Sequence, residues 1–311
     1  MRALLVADAG PEDGLGHVSR LSAVAVALAS RGIETRCRAY GGSRRLERDG
    51  VTWEPWSPES PLPSDVDVAI VDSYRLEPET VVAATVPLVV FRDHGDAGRA
   101  PAALVVSVAA PPSDEPPHLS GPRYAALRPA YWNLPRRDVS GSLRHVLVTT
   151  GGGDPSGLGT AIGQAVAAQL PNVAVTLVRG PHAAASPVDG IEMLTAPESL
   201  DHLQRSADLV ICGAGQTMLE TAACGTPCIA LVLAENQREQ GLGLASAGGV
   251  VLVEPAGVDG VLAAIRDLDP AARQELSRRA QDAVDGRGAL RIAHHVEELL
   301  RRPTELDPSS T

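Results

Sequence analysis

The segment Gly14-Leu15-Gly16-His17-Val18-Ser19-Arg20 sets one imidazole between a glycine-bearing loop and a run of apolar residues at helical spacing. Histidine titrates near about pH 6.5, so in that place it can take a proton as a general base, an effect worth about 10²–10⁴-fold in rate. It can equally be a helix-start or surface residue, and the G-x-G pair lacks the third glycine of a dinucleotide fingerprint. A second segment, Gly213-Ala214-Gly215-Gln216-Thr217-Met218-Leu219-Glu220, follows the apolar run 208–212 and reads as strand, glycine turn and helix start. Unpaired N–H groups and partial positive charge at such a start favour a phosphate, and small residues let it approach. Glu220, one turn further in, can reach a ribose hydroxyl. Plain connection chemistry is the other reading of the same turn.

Further candidates stand where apolar runs end. Asp72 and Tyr74 close the run 65–72, Asp93 follows Leu88 to Phe91, and Gly151-Gly152-Gly153 follow 144–149. Open α/β sheets bind ligands at the carboxyl ends of their strands, which gives these residues substrate or phosphate roles. For the three glycines, a hinge is the alternative. Asn236 and Gln237 follow the run 228–232 and suit contact with sugar or phosphate, or a purely structural place at a helix start.

The elements that must position these residues alternate strand and helix. Arg2 to Ala7 reads as a strand. Leu21, Val24, Ala25 and Leu28 then share one helical face, Gly32 stops that helix, and Ile33 to Arg38 is the next strand. Gly41 to Pro63 reads as a loop whose Trp53 and Trp56 pack or wall a cleft. After a polar linker at 135–143 the rhythm restarts, and it closes in three helices, the last with Leu290, Ala293, Val296 and Leu299 at helical spacing. The expected organisation is an N-terminal domain at 1–134, the linker at 135–143, a C-terminal domain at 144–302 and a frayed tail at 303–311.

Composition narrows the chemistry. The 311 residues carry a net charge of −11, which offers no basic surface to a nucleic acid. All 27 basic residues are arginine, which removes a Walker lysine, a Schiff-base lysine and a lysine base. Cys224 and Cys228 have a metal-like gap but no partner pair, so with Cys37 and Cys212 they read as small buried hydrophobes; no metal and no cofactor are expected. Without an apolar run approaching about 18 residues, the expectation is a cytoplasmic protein with no membrane span. The oligomeric state is open.

The order of elements around 213–220 resembles the nucleotide-sugar-binding half of the GT-B proteins, where a glycine turn faces the diphosphate and a helix glutamate holds the ribose. The motif G-x-G-H-x-x-R at 14–20 resembles the start of the nucleotide-sugar hydrolases of the pseudaminic acid pathway and of related spore-coat polysaccharide proteins. Gly121-Pro122-Arg123-Tyr124-Ala125-Ala126-Leu127-Arg128-Pro129-Ala130-Tyr131 is similar to the segment joining their two domains. The resemblance spans roughly residues 1 to 250. It implies an α/β GT-B fold, two Rossmann-like domains with parallel sheets facing each other across a cleft.

It also implies a set of roles. His17 is the base, and Asp8, Gly14, Gly16, Arg20, Asp72, Tyr74, Asp93, Tyr124, Arg128, Asn236 and Gln237 form the substrate side. Gly151, Gly152, Gly153, Gly213, Gly215, Gln216 and Thr217 lie on the diphosphate, and Glu220 on the ribose. Two departures fall on the sugar side: Val6 stands where these hydrolases carry arginine, and Asp93-His94 stand where they tend to carry an acidic pair. The expected activity is metal-independent, inverting hydrolysis of a nucleotide sugar, with a uridine nucleotide carried by resemblance alone. An inverting glycosyltransferase with the same donor site is the alternative, and a silent nucleotide-sugar-binding module the third reading.

Overall fold

A computed structural model describes residues 1–10, 15–60, 63, 65–76, 86–93, 102–151, 157–180, 188–197 and 199–301. The chain divides into two units: Met1–Ser107 with Ser113–Leu119 and Gly288–Thr311, and Val108–Pro112 with Ser120–Arg287.

In the first unit β1 (Arg2–Asp8) leads through α1 (Gly16–Ala29) to β2 (Glu34–Tyr40). Its sheet has the order β3-β4-β2-β1-β5-β6-β7-β8, with β3 (Leu46–Arg48), β4 (Val51–Trp56), β5 (Val68–Asp72), β6 (Leu88–Phe91), β7 (Leu104–Ser107) and β8 (His118–Ser120). β1, β2, β4, β5, β6 and β7 pair in parallel, and β3 pairs antiparallel with β4. Ala3 to Asp8 and all of β5 are buried, as expected of central strands covered on both faces. Val6 is part of that core.

The segment 41–63 is not simply a loop. β3 and β4 form a hairpin in which Arg48 pairs with Val51, and the turn residues Asp49 and Gly50 have φ of 52° and 75°. An Asp-Gly pair with both φ positive is the two-residue turn whose twist matches that of the strands, and it was the signal to read there. Trp53 is fully buried and donates from Nε1 to Ser22 Oγ at 2.9 Å, while Trp56 Nε1 donates to the carbonyl of Ser60 at 3.0 Å. Both tryptophans are packed.

The second unit has a fully parallel sheet, β11-β10-β9-β12-β13-β14, built of β9 (His145–Thr149), β10 (Ala174–Arg179), β11 (Glu192–Thr195), β12 (Leu209–Gly213), β13 (Cys228–Leu231) and β14 (Val251–Val253). Val146, Val148, Leu209 and Ile211 enter the core on one face, and Leu147, Val210 and Cys212 enter the core on the other, following the two-residue period of a strand. The helices are α2 (Leu158–Gln169), α3 (Asp201–Ser206), α4 (Gln216–Cys224), α5 (Arg238–Ser246), α6 (Val258–Asp267) and α7 (Pro270–Ala283). Asp269 caps α7 by accepting from Ala272 N at 2.7 Å, with Pro270 at the first helical position. All four cysteines are buried thiols.

The unit limits differ from the sequence boundaries at 134 and 144. Leu127 and Tyr131 join the core of the second unit, with Tyr131 donating to Gln204 Oε1 at 2.8 Å. The last helix, α8 (Gly288–Arg301), packs instead on α1 in the first unit. Its buried stripe is Ala289, Ile292, Ala293 and Val296, with Leu290 and Leu299 at the margin, and Glu297 pairs with Arg31. Among the described residues no helix is long and apolar enough to cross a membrane.

Replacing Trp53 by alanine removes a filled core position and the Ser22 hydrogen bond. A loss of about 3–5 kcal/mol is expected in denaturant unfolding followed by far-ultraviolet circular dichroism; a loss below about 1 kcal/mol would show that the hairpin is peripheral to the first unit's stability.

Candidate functional site

In the first sheet β1 is followed by β2 on one flank and bordered by β5 on the other, so the chain reverses its winding between β1 and β5. At such a switch point the strand carboxyl ends diverge from the crossovers and leave a crevice. Three carboxylates stand at these ends: Asp8 closes β1, Asp72 closes β5, and Asp93 follows β6 by two residues. α1 supplies the groups that meet them. His17 and Arg20 are three residues apart, hence on one face of the helix, and both are buried.

His17 Nδ1 lies 2.7 Å from Asp72 Oδ1. Arg20 donates from Nε to Asp72 Oδ2 at 2.9 Å, from Nη2 to Asp72 Oδ1 at 2.7 Å, and from Nη1 to both oxygens of Asp93 at 2.7 Å. The Tyr74 hydroxyl donates to Asp93 Oδ2, and its ring meets His17 edge-on with centroids 4.5 Å apart.

The charges explain the protonation states. Burial raises the Asp72 carboxyl, but the Arg20 and His17 charges and their hydrogen bonds outweigh it and hold it down at about 2. Ionised Asp72 only accepts, so the neutral imidazole carries its proton on Nδ1 and its lone pair on Nε2. For His17 burial is the largest influence and lowers the pKa. The charge and hydrogen bond of Asp72, with the charge of Asp8, overcome both burial and the opposing Arg20, so the net shift is upward. The Tyr74 phenol is raised by burial and by Asp93, so it stays a donor. Such a set can accept one proton at His17 Nε2 and stabilise the imidazolium formed.

Other sequence candidates in this unit are placed differently. Asp8 is fully spent on a turn, since Ser73 Oγ donates to its Oδ1 at 2.7 Å and Tyr74 N to its Oδ2 at 2.8 Å. Ser73, which the sequence reading passes over, also accepts from Arg75 N and Leu76 N at 3.0 and 2.9 Å; a serine after a strand-end aspartate is the signal for such a turn. Gly16 begins α1, and Gly14 and His94 lie outside the described residues.

In the second sheet the corresponding switch point lies between β9 and β12, where Thr149 and Cys212 are register partners. Gly151 is exposed just beyond β9; Gly152 and Gly153 lie outside the described residues. β12 runs through Gly213 and the turn into α4, whose first residues Gln216 and Thr217 are half-buried. The side chain of Gln237 folds against this turn. It accepts from Leu233 N at 3.2 Å, and a Cβ on Gly213 would stand 3.5 Å from Gln237 Oε1 and 3.1 Å from Leu233 Cδ1. The missing side chain there lets the two segments approach.

Gln216 Nε2 donates to the carbonyl of Ala126 at 3.2 Å. Glu220 is buried on the inner side of α4, where, second to burial, its charge raises the Tyr131 hydroxyl and pushes the Cys224 thiol up to about 12. Arg128 Nη1 lies 3.5 Å from Ser199 Oγ, which donates to Asp201 at 2.5 Å. Tyr124 is a core residue, and Asn236 is exposed. The structure thus gathers His17, Arg20, Asp72, Tyr74 and Asp93 at one sheet edge and Gly213, Gly215, Gln216, Thr217 and Gln237 at another. Among the described residues, no group of three or more His, Cys, Asp or Glu could hold a metal ion.

No family model and no curated protein matches this chain. Solved structures do. The glycosyltransferase SsfS6 of Streptomyces sp. SF2575, in complex with thymidine diphosphate, superposes with a TM-score of 0.66 at 17% identity over 96% of this chain and 99% of its own. The spinosyn rhamnosyltransferase SpnG with thymidine diphosphate gives 0.65 at 16% over 96% and 100%, and MurG of Acinetobacter baumannii gives 0.63 at 16% over 96% and 99%. With two Rossmann-like parallel-sheet units, the chain has an α/β fold of the GT-B type.

An Asp72→Asn variant removes the charge that, together with its hydrogen bond and the charge of Asp8, overcomes burial at His17. The His17 resonance in an NMR titration is expected to move from above the ordinary histidine value to below its wild-type midpoint. The stability that His17 contributes is full below its unfolded value of about 6.5 and is lost as pH rises through its higher folded value. The Asp72 contribution is present above its unfolded value and is lost as pH falls toward about 2. An unmoved resonance in Asp72→Asn would show that the two side chains are uncoupled in solution.

Proposed function

We propose that this protein is an inverting glycosyltransferase that moves a sugar from a nucleoside diphosphate to a hydroxyl acceptor. The observation that carries the reading is the His17–Asp72 pair, 2.7 Å apart at a sheet switch point, with the proton on Nδ1 and Nε2 left as the base. The acceptor O–H gives its proton to His17 Nε2 while its oxygen forms a bond to the anomeric carbon. The bond from that carbon to the diphosphate oxygen breaks, its electron pair leaves with the nucleoside diphosphate, and the configuration inverts. Asp72 stabilises the imidazolium.

The second unit holds the diphosphate at the N-terminus of α4. Backbone N–H groups near Gly215 and Gln216 and the helix dipole favour the negative charge that develops as the bond breaks. Gly151 and Thr217 complete this side, with Glu220 on the ribose. The likeness to structures holding thymidine diphosphate supports a nucleotide ligand.

Hydrolysis, the first expectation from sequence, gives way here to the alternative. His17 can deprotonate water as readily as an alcohol, so the dyad does not favour the hydrolase, and the structures that share the fold are glycosyltransferases.

The test is release of nucleoside diphosphate from a panel of uridine and thymidine diphosphate sugars, with and without alcohol acceptors and with and without chelator. Release that needs an acceptor, resists chelator and falls about 10²–10⁴-fold in His17→Ala is expected. Equal release without acceptor would make the protein a hydrolase. Tight nucleotide binding with no turnover under any condition would make it a binding module.

A further inference from the structure

Arg20 stands in the sequence as a substrate contact, but all three of its guanidinium nitrogens are engaged inside the protein. Nε and Nη2 hold the two oxygens of Asp72 and Nη1 bridges the two oxygens of Asp93, while Phe91 lies under the cation at 5.9 Å. The side chain is only 8% exposed, and each of its nitrogens already holds a carboxylate. What Arg20 does share is an oxygen: Asp72 Oδ1 accepts from Arg20 Nη2 and from His17 Nδ1, each at 2.7 Å, so the two donors stand 3.2 Å apart.

We propose that Arg20 is a positioning residue for the reaction at His17: its fork clamps Asp72 to Asp93 at a fixed spacing and thereby fixes the tautomer and direction of the imidazole. This role rests on the reading of His17 as the base. The geometry requires arginine. A planar guanidinium can meet two carboxylates edge-on at once, whereas an ammonium offers a single point of charge. Without the clamp Asp72 and Asp93 repel each other, and the aspartate that orients the ring is free to turn away.

The clamp has an electrostatic consequence as well. Among the described residues, the ionisable groups around the imidazole are Asp8 from β1, Arg20 from α1, Asp72 with Tyr74 and Arg75 from the end of β5, and Asp93 from the end of β6. The buried carboxylates of Asp72 and Asp8 pull His17 toward the protonated form, which is useless as a base. Arg20 is the buried cation that opposes them. It therefore keeps the imidazole neutral at a pH where it would otherwise be charged.

Arg20→Gln and Arg20→Lys test this against wild type, with two readouts. One is the His17 titration by NMR on histidine-labelled protein, with His17→Gln identifying the resonance; the other is kcat and donor KM across pH. In Arg20→Gln the titration and the acid limb of kcat are expected to move to higher pH. At pH 6.5 kcat falls about tenfold or more with donor KM changed less than about twofold, and Arg20→Lys recovers part of the loss. A titration and a kcat profile unmoved in Arg20→Gln would overturn the proposal, as would a loss expressed only in KM.

Should Arg20→Gln fail to fold, Asp93→Asn carries the test, because it leaves Arg20 on Asp72 alone. A lowered His17 midpoint with reduced kcat supports the clamp, and an unmoved midpoint with unmoved kcat overturns it. The titration needs no turnover. A shift in Arg20→Gln with no glycosyl transfer by wild type would leave the clamp standing and sink the transferase reading. Transfer by wild type with nothing moved in Arg20→Gln would do the reverse.

Discussion

Asp72 is a nearly inaccessible carboxylate, and an isolated one would cost several kcal/mol to bury. It is tolerated because both oxygens accept from charged or chargeable donors, Arg20 on two sides and His17 on a third. This one constraint orders its neighbours. Arg20 has to be an arginine near the start of α1, His17 has to lie one turn earlier on the same face, and Asp93 has to supply the second anion for the guanidinium. The ion cluster is weak support for stability in itself. Its effect is to hold a proton acceptor in one orientation at an edge of the sheet.

Both units place their polar groups by the same rule. Where a parallel sheet reverses its winding, the crossovers leave in opposite directions and the strand ends between them remain open. In the first unit that place is filled with carboxylates and an imidazole; in the second it is lined with glycines, amides and a helix N-terminus. The difference in chemistry follows from the side chains and the turns that the two sheets carry at these ends.

The absence of lysine gives the anion-accepting edge its character. Among the described residues near β12 the groups that could meet an anion are backbone N–H groups and the helix dipole, and Gly213 permits Gln237 to pack against the turn. Fixed dipoles of this kind need no reorganisation when charge develops beside them.

The sequence by itself determined what depends on local periodicity. Strand and helix order, the α1 face, the positions of Gly213 to Glu220 and the identity of His17 all follow from two- and 3.6-residue patterns and from glycine placement, because those preferences act within one element. The Asp49-Gly50 hairpin was legible in the same way. The partners of His17 were not. Asp72 lies 55 residues away and Asp93 lies 73 residues beyond Arg20, and nothing local couples them. Nor does any local pattern send α8 back to α1, hold Tyr131 in the second unit, bury Tyr124, or spend Asp8 on the Ser73 turn. Tertiary structure decided these, because sheet order sets which strand ends become neighbours, and the desolvation of their carboxylates decides which donors must meet them.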